Sequence, residues 1–199
     1  MAIKGLSLNR KNVRQSLDLE ELTGFDFSTR PDLAIFVGQA VIDRILDRTM
    51  NDNKDVYGKS FASYSSSYKK SDTFVAFGKS SKVDMELTGG MLSSIDFDVN
   101  GSVLDIFFDD DEEADKAYGH ITGMEGHKTL SGKTPKREFF GISGDEFMEK
   151  IFPLIESDLD GGQALELEAT TFGDFLGTQS DADFNDFFSD FIGGNNEGV

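Results

Sequence analysis

The stretch IDFDVNGSVLDIFF, residues 95–108, decides the fold. Ile95, Phe97 and Val99 alternate with Asp96 and Asp98, and after Asn100-Gly101 the alternation resumes at Leu104, Ile106 and Phe108. Period-two alternation turns one face of a strand towards a core, and Asn-Gly between two such runs is the strongest short-range hairpin signal. A two-residue Asn100-Gly101 turn predicts Phe97 opposite Leu104 and Ile95 opposite Ile106 on the buried face. It also sets Asp96 opposite Asp105, a like-charge pair that destabilises the ladder unless that face is solvated or a cation from elsewhere covers it.

Upstream, DMELTGGMLSSI (84–95) predicts a helix entered late, near Thr88, and running through Met91-Leu92. Thr73–Phe77 reads as a short strand. The serine-rich stretch 61–70, with Tyr64 and Tyr68 one helical turn apart, reads as a loop or short helix whose tyrosines pack. The clearest helix begins at Arg30-Pro31-Asp32, since proline at the first helical position loses no needed hydrogen bond and an early Asp suits the positive end of the dipole. Ala34, Val41, Ile42, Ile45 and Leu46 form one apolar face. Asp43, Arg44, Asp47 and Arg48 occupy the opposite side in the second half, but in the first half Leu33, Phe36, Val37 and Ala40 make that side apolar too. A helix apolar all round is buried all round; its second cover is either another subunit or the N-terminal residues. Asn51-Asp52-Asn53 ends the helix. Residues 1–28 read as an arm, helical near Val13–Leu22, that orders against a neighbour.

Downstream, Asp109–Glu113 puts five acids in a row. They cannot all face one ion, and they fit the first turn of a helix through Tyr118. Residues 117–143 hold both histidines, glycines at 119, 123, 126 and 132, the cations Lys133, Lys136 and Arg137, and the Phe139-Phe140 pair. This is the pattern of a long surface excursion that returns to a hydrophobic anchor. Ser143-Gly144-Asp145-Glu146 is a capping box, and Phe147, Ile151, Leu154 and Ile155 continue it as an amphipathic helix that Pro153 should kink or nearly end.

The chain has 199 residues, 38% of them apolar, enough for one cored α+β domain; we assign it to residues 29–158, with an arm at 1–28 and a tail at 159–199. Net charge is −18, yet no Lys or Arg follows Lys150, and eleven acids lie between Glu156 and Glu197. The remainder carries 26 acids against 19 bases, a mildly acidic body with an acidic tail. Phe172, Phe175, Phe184, Phe187, Phe188 and Phe191 punctuate that tail, a composition that suits a disordered segment docking on a partner surface.

Absence of cysteine excludes disulfides and thiolate chemistry. Without a signal-peptide core or a long apolar run, the chain is expected to be soluble and made in a cytoplasm, with no membrane association. Neither body nor tail has the clustered cations that nucleic-acid binding needs. No nucleophile elbow, P-loop or HExxH occurs. Glu156-x-Asp158-x-Asp160-Gly161 half resembles a calcium loop but fails at its first position and at its twelfth, Leu167. His120 and His127 lack a third ligand. We therefore expect no catalytic residue, cofactor or metal, and no enzyme activity.

Four pieces stand in one order: Leu87-Thr88-Gly89-x-Met91-Leu92-x-Ser94-Ile95, the hairpin, Tyr118-Gly119-His120-x-x-Gly123, and Pro135-x-Arg137-Glu138-Phe139-Phe140-Gly141-Ile142-Ser143. Together they resemble the virion-morphogenesis and tail-completion proteins of tailed phages, the group that includes neck and head–tail joining proteins. The resemblance spans about residues 31–155, where the helix 31–50 also has its counterpart; the arm and the tail fall outside it. The fold expected from the residues is a long N-terminal helix packed on a small antiparallel sheet, with a C-terminal helix, flanked by extended arms; the resemblance agrees with it over residues 31–155. The resemblance further implies a structural protein, assembled in the host cytoplasm into a homo-oligomeric ring at the virion's head–tail junction. Its neighbours would be portal or adaptor proteins and tail-terminator or tail-tube proteins, with DNA passing through without specific binding.

A ring needs two different patches that meet between copies. The residues expected to supply them are Leu33, Phe36, Val37 and Ala40 on the helix, His120, Arg137 and Phe139 around the excursion, and Phe172, Phe175, Phe187 and Phe191 in the tail. Phe140 is read as an anchor in the chain's own core. The alternatives are a tail-terminator protein capping the tail tube and, from a different class, an acidic DNA mimic inhibiting a host protein. The mimic predicts acids spread over one face rather than gathered in a tail.

Overall fold

The computed structural model describes residues 4–79, 82, 83, 85, 89–124 and 134–159. The chain divides into two units, Met1–Ser157 and Asp158–Val199, and the fold below is that of the first. Among the described residues it is α+β, with a four-stranded antiparallel sheet whose two hairpins are separated, and then followed, by helices.

β1 (Leu6–Asn9) and β2 (Asn12–Asp18) pair across Arg10-Lys11, with Asn9 opposite Asn12 and Leu6 opposite Gln15. This corrects the reading of residues 1–28 as an arm. Val13, Gln15 and Leu17 are buried on alternate positions while Asn12, Ser16 and Asp18 are exposed, the period of a strand with one face in the core. Of the expected helical stretch only α1 (Leu19–Thr23) is helical; Asp18 caps it by accepting the Glu21 N–H at 3.0 Å.

After a 3₁₀ turn at Phe27–Thr29 comes α2 (Pro31–Asp47), which widens into a π turn at Arg48–Asp52 and stops at Asn53 in a left-handed conformation. Residues 72–76 form α3 (Asp72–Ala76), not the expected strand; the Ser71 hydroxyl accepts the Phe74 N–H at 3.3 Å and starts the helix. α4 (Gly90–Ser93) then leads into β3 (Ile95–Asn100) and β4 (Val103–Phe108).

The sheet order is β1-β2-β4-β3. The hairpin register differs from expectation by two residues. Asn100 pairs with Val103, so the turn is Gly101-Ser102, Phe97 faces Ile106 and Ile95 faces Phe108. Gly101 takes the positive φ (61°) and Ser102 is tied down from outside: its carbonyl accepts the Leu19 N–H at 2.8 Å and its hydroxyl the Phe27 N–H at 3.2 Å. A shift of two preserves which side chains face the core. The like-charge pair becomes Asp98 opposite Asp105, and Ser16 of β2 donates a hydrogen bond to the Asp105 carboxylate.

α5 (Asp111–Thr122) starts at Asp110, whose carboxylate accepts the N–H groups of Glu112 and Glu113 at 2.8 and 3.0 Å, so the acidic run is the cap and first turn of a helix. The last helical run is α6 (Gly144–Glu146), a π turn at Phe147–Ile151 and α7 (Phe152–Leu159). Pro153 neither ends nor nearly ends it. The π turn, closed by the Phe152 N–H on the Phe147 carbonyl, shifts the hydrogen-bond ladder where proline would break an α-helix.

α2 is buried on both sides by its own chain. Leu33, Ala34, Val37, Ala40, Val41, Ile42 and Ile45 all join one core with Leu104, Ile106, Phe139, Phe140 and Phe147. Gly38 lies so close to Phe97 of β3 that a Cβ there would sit 2.4 Å from the ring. The sheet, not another subunit, is the second cover.

Candidate interaction surfaces

Residues 134–143 have no regular secondary structure; they begin at the surface, where Pro135 and Lys136 are exposed, and pass through the core from Arg137 to Ile142. Phe139, Phe140 and Ile142 are fully buried, so the polar backbone between them must find partners inside the protein. Arg137 donates its N–H to the His120 carbonyl at 2.8 Å, and the Glu138 carbonyl accepts the Val56 N–H at 2.9 Å. Two buried side chains from distant elements supply most of the rest.

Gln15 of β2 forms a two-way pair with Ile142: its Nε2 donates to the Ile142 carbonyl at 2.9 Å and its Oε1 accepts the Ile142 N–H at 2.8 Å. The second Nε2 hydrogen goes to the Lys4 carbonyl at 3.0 Å. Arg48 donates Nη2 to the carbonyls of Phe139 and Gly141 at 2.6 and 2.8 Å, and its Nη1 to Glu146. Glu146 also accepts Arg44 Nε at 2.8 Å, and its N–H reaches the Ser143 hydroxyl at 3.1 Å. The capping box is thus half made: Ser143 caps, while the Glu146 carboxylate turns to the two arginines. Burial lowers the Arg48 pKa, and the Glu146 carboxylate opposes that shift. Arg48, assigned to the charged side of its helix, instead follows Val41 and Ile45 at i+4 and i+3 onto the buried face.

His120 and Arg137 lie side by side at the next turn of this path. His120 is half-buried, and its Nδ1 has no hydrogen-bond partner. Burial pushes its pKa down to about 4, and the positive charge of Arg137 adds to the effect, so the imidazole is neutral at pH 7. Arg137 is buried, donates Nη2 to the Ala62 carbonyl at 3.1 Å and places its guanidinium 5.5 Å over the Tyr64 ring. Burial also lowers its pKa.

Most residues expected at an interface are therefore used inside the fold. Leu33, Val37, Ala40, Arg137 and Phe139 are buried within this one chain, because the sheet and the 134–143 segment cover them. Phe36 is half-buried against the same core, and His120 is half-buried beside Arg137. His127, Phe172, Phe175, Phe187 and Phe191 lie outside the described residues.

The apolar side chains that do reach solvent are different ones. Ile35 on α2 is 56% exposed, and Val75 and Phe77, in and just after α3, are 68% and 51% exposed. Reading 73–77 as a strand hid the last two; Ser71-Asp72 ahead of an apolar run was the signal for a helix. A cavity of about 200 Å³ lies between β2 and the start of α6, lined by Gln15, Leu17, Leu22, Ile142 and Phe147. It is smaller than typical ligand pockets, and the Gln15 carboxamide beside it is already satisfied. Among the described residues no three His, Asp or Glu side chains gather as a metal site, and no helix is long and apolar enough to cross a membrane. The chain matches no protein-family model, no curated protein and no solved structure.

Proposed function

We propose that this chain is a structural virion protein of a tailed phage, forming a ring at the neck where head and tail join. The observation that carries the reading is the ordered series ending in Pro135-x-Arg137-Glu138-Phe139-Phe140-Gly141-Ile142-Ser143, which resembles the closing motif of tail-completion proteins. The geometry supports it: each polar group of that motif named above serves to hold the segment in the core. His120 is neutral, half-buried and beside Arg137, and the reading gives it an architectural role. In such a ring each copy would present two unlike surfaces to its neighbours, and DNA would pass an acidic protein without sticking to it.

Gold-labelled antibodies against residues 160–199, applied to purified virions, free tails and empty heads, test the reading. Label at the head–tail junction is expected. Label on the ends of free tails alone would favour a tail terminator, and absence of the protein from virions by mass spectrometry would overturn a structural role and favour the acidic DNA mimic.

A further inference from the structure

The chain is strongly acidic, yet residues 54–79 carry five lysines against Asp55 and Asp72. The N-terminal strands are also basic, but their cations are engaged. Lys4 pairs with Glu21, Lys11 with Asp111 at 3.2 Å and Arg10 with Asp115 at 3.9 Å, while Arg14 lies 5.7 Å from the centre of the Phe107 ring. Lys54, Lys59, Lys69 and Lys70, by contrast, pair with no carboxylate among the described residues, and all but Lys69 are exposed.

This stretch is built, not loose. The Asp55 carboxylate accepts the N–H groups of Tyr57 and Lys59 at 3.0 and 2.8 Å, so one of its two acids is occupied by its own turn. Tyr64, Tyr68 and Phe74 pack as a triad with ring centroids 5.3–5.6 Å apart, and Arg137 clamps the triad to the 134–143 segment. On that scaffold Val75, Phe77 and Tyr57 are held out in solvent, the last 46% exposed. Exposed apolar side chains on a fixed frame, with unpaired lysines in the same stretch, are the features of a docking surface for an acidic partner with apolar anchors.

The same chain supplies that chemistry elsewhere. Residues 160–199 hold nine acids, six phenylalanines and no Lys or Arg, and Phe184, Phe187, Phe188 and Phe191 recur at the i, i+3, i+4, i+7 spacing of anchors that enter an apolar surface together. Two unlike, complementary patches on one chain are what a heterologous contact between copies requires.

We propose that the exposed lysines and apolar side chains of residues 54–79 receive the acidic, phenylalanine-bearing segment 160–199 of a second copy. The inference deepens the ring reading and rests on its copy-to-copy association. The lysines steer the segment in, and the phenylalanines cover Val75, Phe77 and Tyr57.

The test uses the full chain, as an equal mixture of ¹⁵N-labelled and unlabelled protein cross-linked with a zero-length carbodiimide. Cross-links from Lys59, Lys69 and Lys70 to the acids of 160–199 should join heavy to light chains in the proportion expected of random pairing. In parallel, a fluorescent synthetic peptide of residues 169–194 is titrated against full-length protein whose six tail phenylalanines are serine, and against the same protein with Lys59→Glu, Lys69→Glu and Lys70→Glu added. Charge reversal should weaken binding by about tenfold or more, with the thermal midpoint unchanged. Links confined to one chain, or peptide binding indifferent to the reversal, would overturn the contact. Sedimentation of the wild type separates the two ideas: an oligomer with no mixed-label links sinks this contact alone, whereas a monomer at every concentration sinks the ring and the contact with it.

Discussion

Residues 134–143 and 54–79 both consist largely of irregular chain, yet the protein uses them in opposite ways. The first threads the core, and its backbone is paired by Gln15, Arg48, His120 and Val56. The second pairs chiefly with itself, through Asp55, the Lys54–Ser60 bridge and the tyrosine triad, and leaves Lys54, Lys59 and Lys70 exposed. What makes an irregular segment a core element is where its backbone hydrogen bonds end. A stretch whose carbonyls are claimed by distant buried side chains cannot leave without stranding them; one that satisfies itself is available to a partner.

That contrast breaks first at Arg48. Arg48→Ala removes one of the two arginine partners of Glu146 and the donor to two buried carbonyls, and should cost about 3–5 kcal/mol, as breaking a buried charged network does; urea unfolding measures it. Gln15→Leu strands both backbone groups of Ile142 and should cost about 2–3 kcal/mol in the same assay.

His120 sharpens the comparison through pH. Its folded form is neutral, with a pKa near 4 against an ordinary 6.5, so unfolding allows proton uptake below pH 6.5. Stability should fall as pH drops from about 6.5 towards 4, by about 2 kcal/mol between pH 7 and pH 5. His120→Gln should flatten that slope, read from denaturation midpoints across the range. Gly38→Ala gains helix propensity but drives a methyl into Phe97, and a net loss of about 1–2 kcal/mol is expected in thermal melts. At the other pole, Val75→Ser and Lys70→Gln should each change stability by no more than about 0.5 kcal/mol. A large loss at either would mean that its side chain is not free at the surface.

Much of the fold was legible where local chemistry and global packing agree. The alternation around Gly101, the proline start of α2, the acidic cap of α5 and the Ser143 cap all rest on neighbours within four residues, and all hold. The hairpin register did not, because Ser102 is fixed by Leu19 and Phe27 rather than by the turn's own preference. The first two strands were hidden for a related reason. Gln15 occupies an inward position where an apolar residue would have completed the alternation Val13-x-x-x-Leu17, and only its partner at Ile142 accounts for it. At the candidate interface the apolar residues of α2 were correctly read as buried on two sides, but sequence cannot say which chain provides the cover. The exposed residues Val75 and Phe77 escaped because a strand and a short helix of the same composition point different side chains outward.

The Gln15–Ile142 pair joins residues 127 positions apart, and this separation has a temporal meaning. A chain growing from its N-terminus makes β2 early, pairs it with β4 only after residue 108, and satisfies Gln15 only once Ile142 has emerged. Until then the sheet carries an unmet buried carboxamide and lacks the phenylalanines that close its core. Folding is therefore governed by late, long-range contacts and should be slow for the size of the domain. A nascent or prematurely terminated chain ending before residue 142 lacks both partners of Gln15 at Ile142, so its core stays open until the domain is nearly complete.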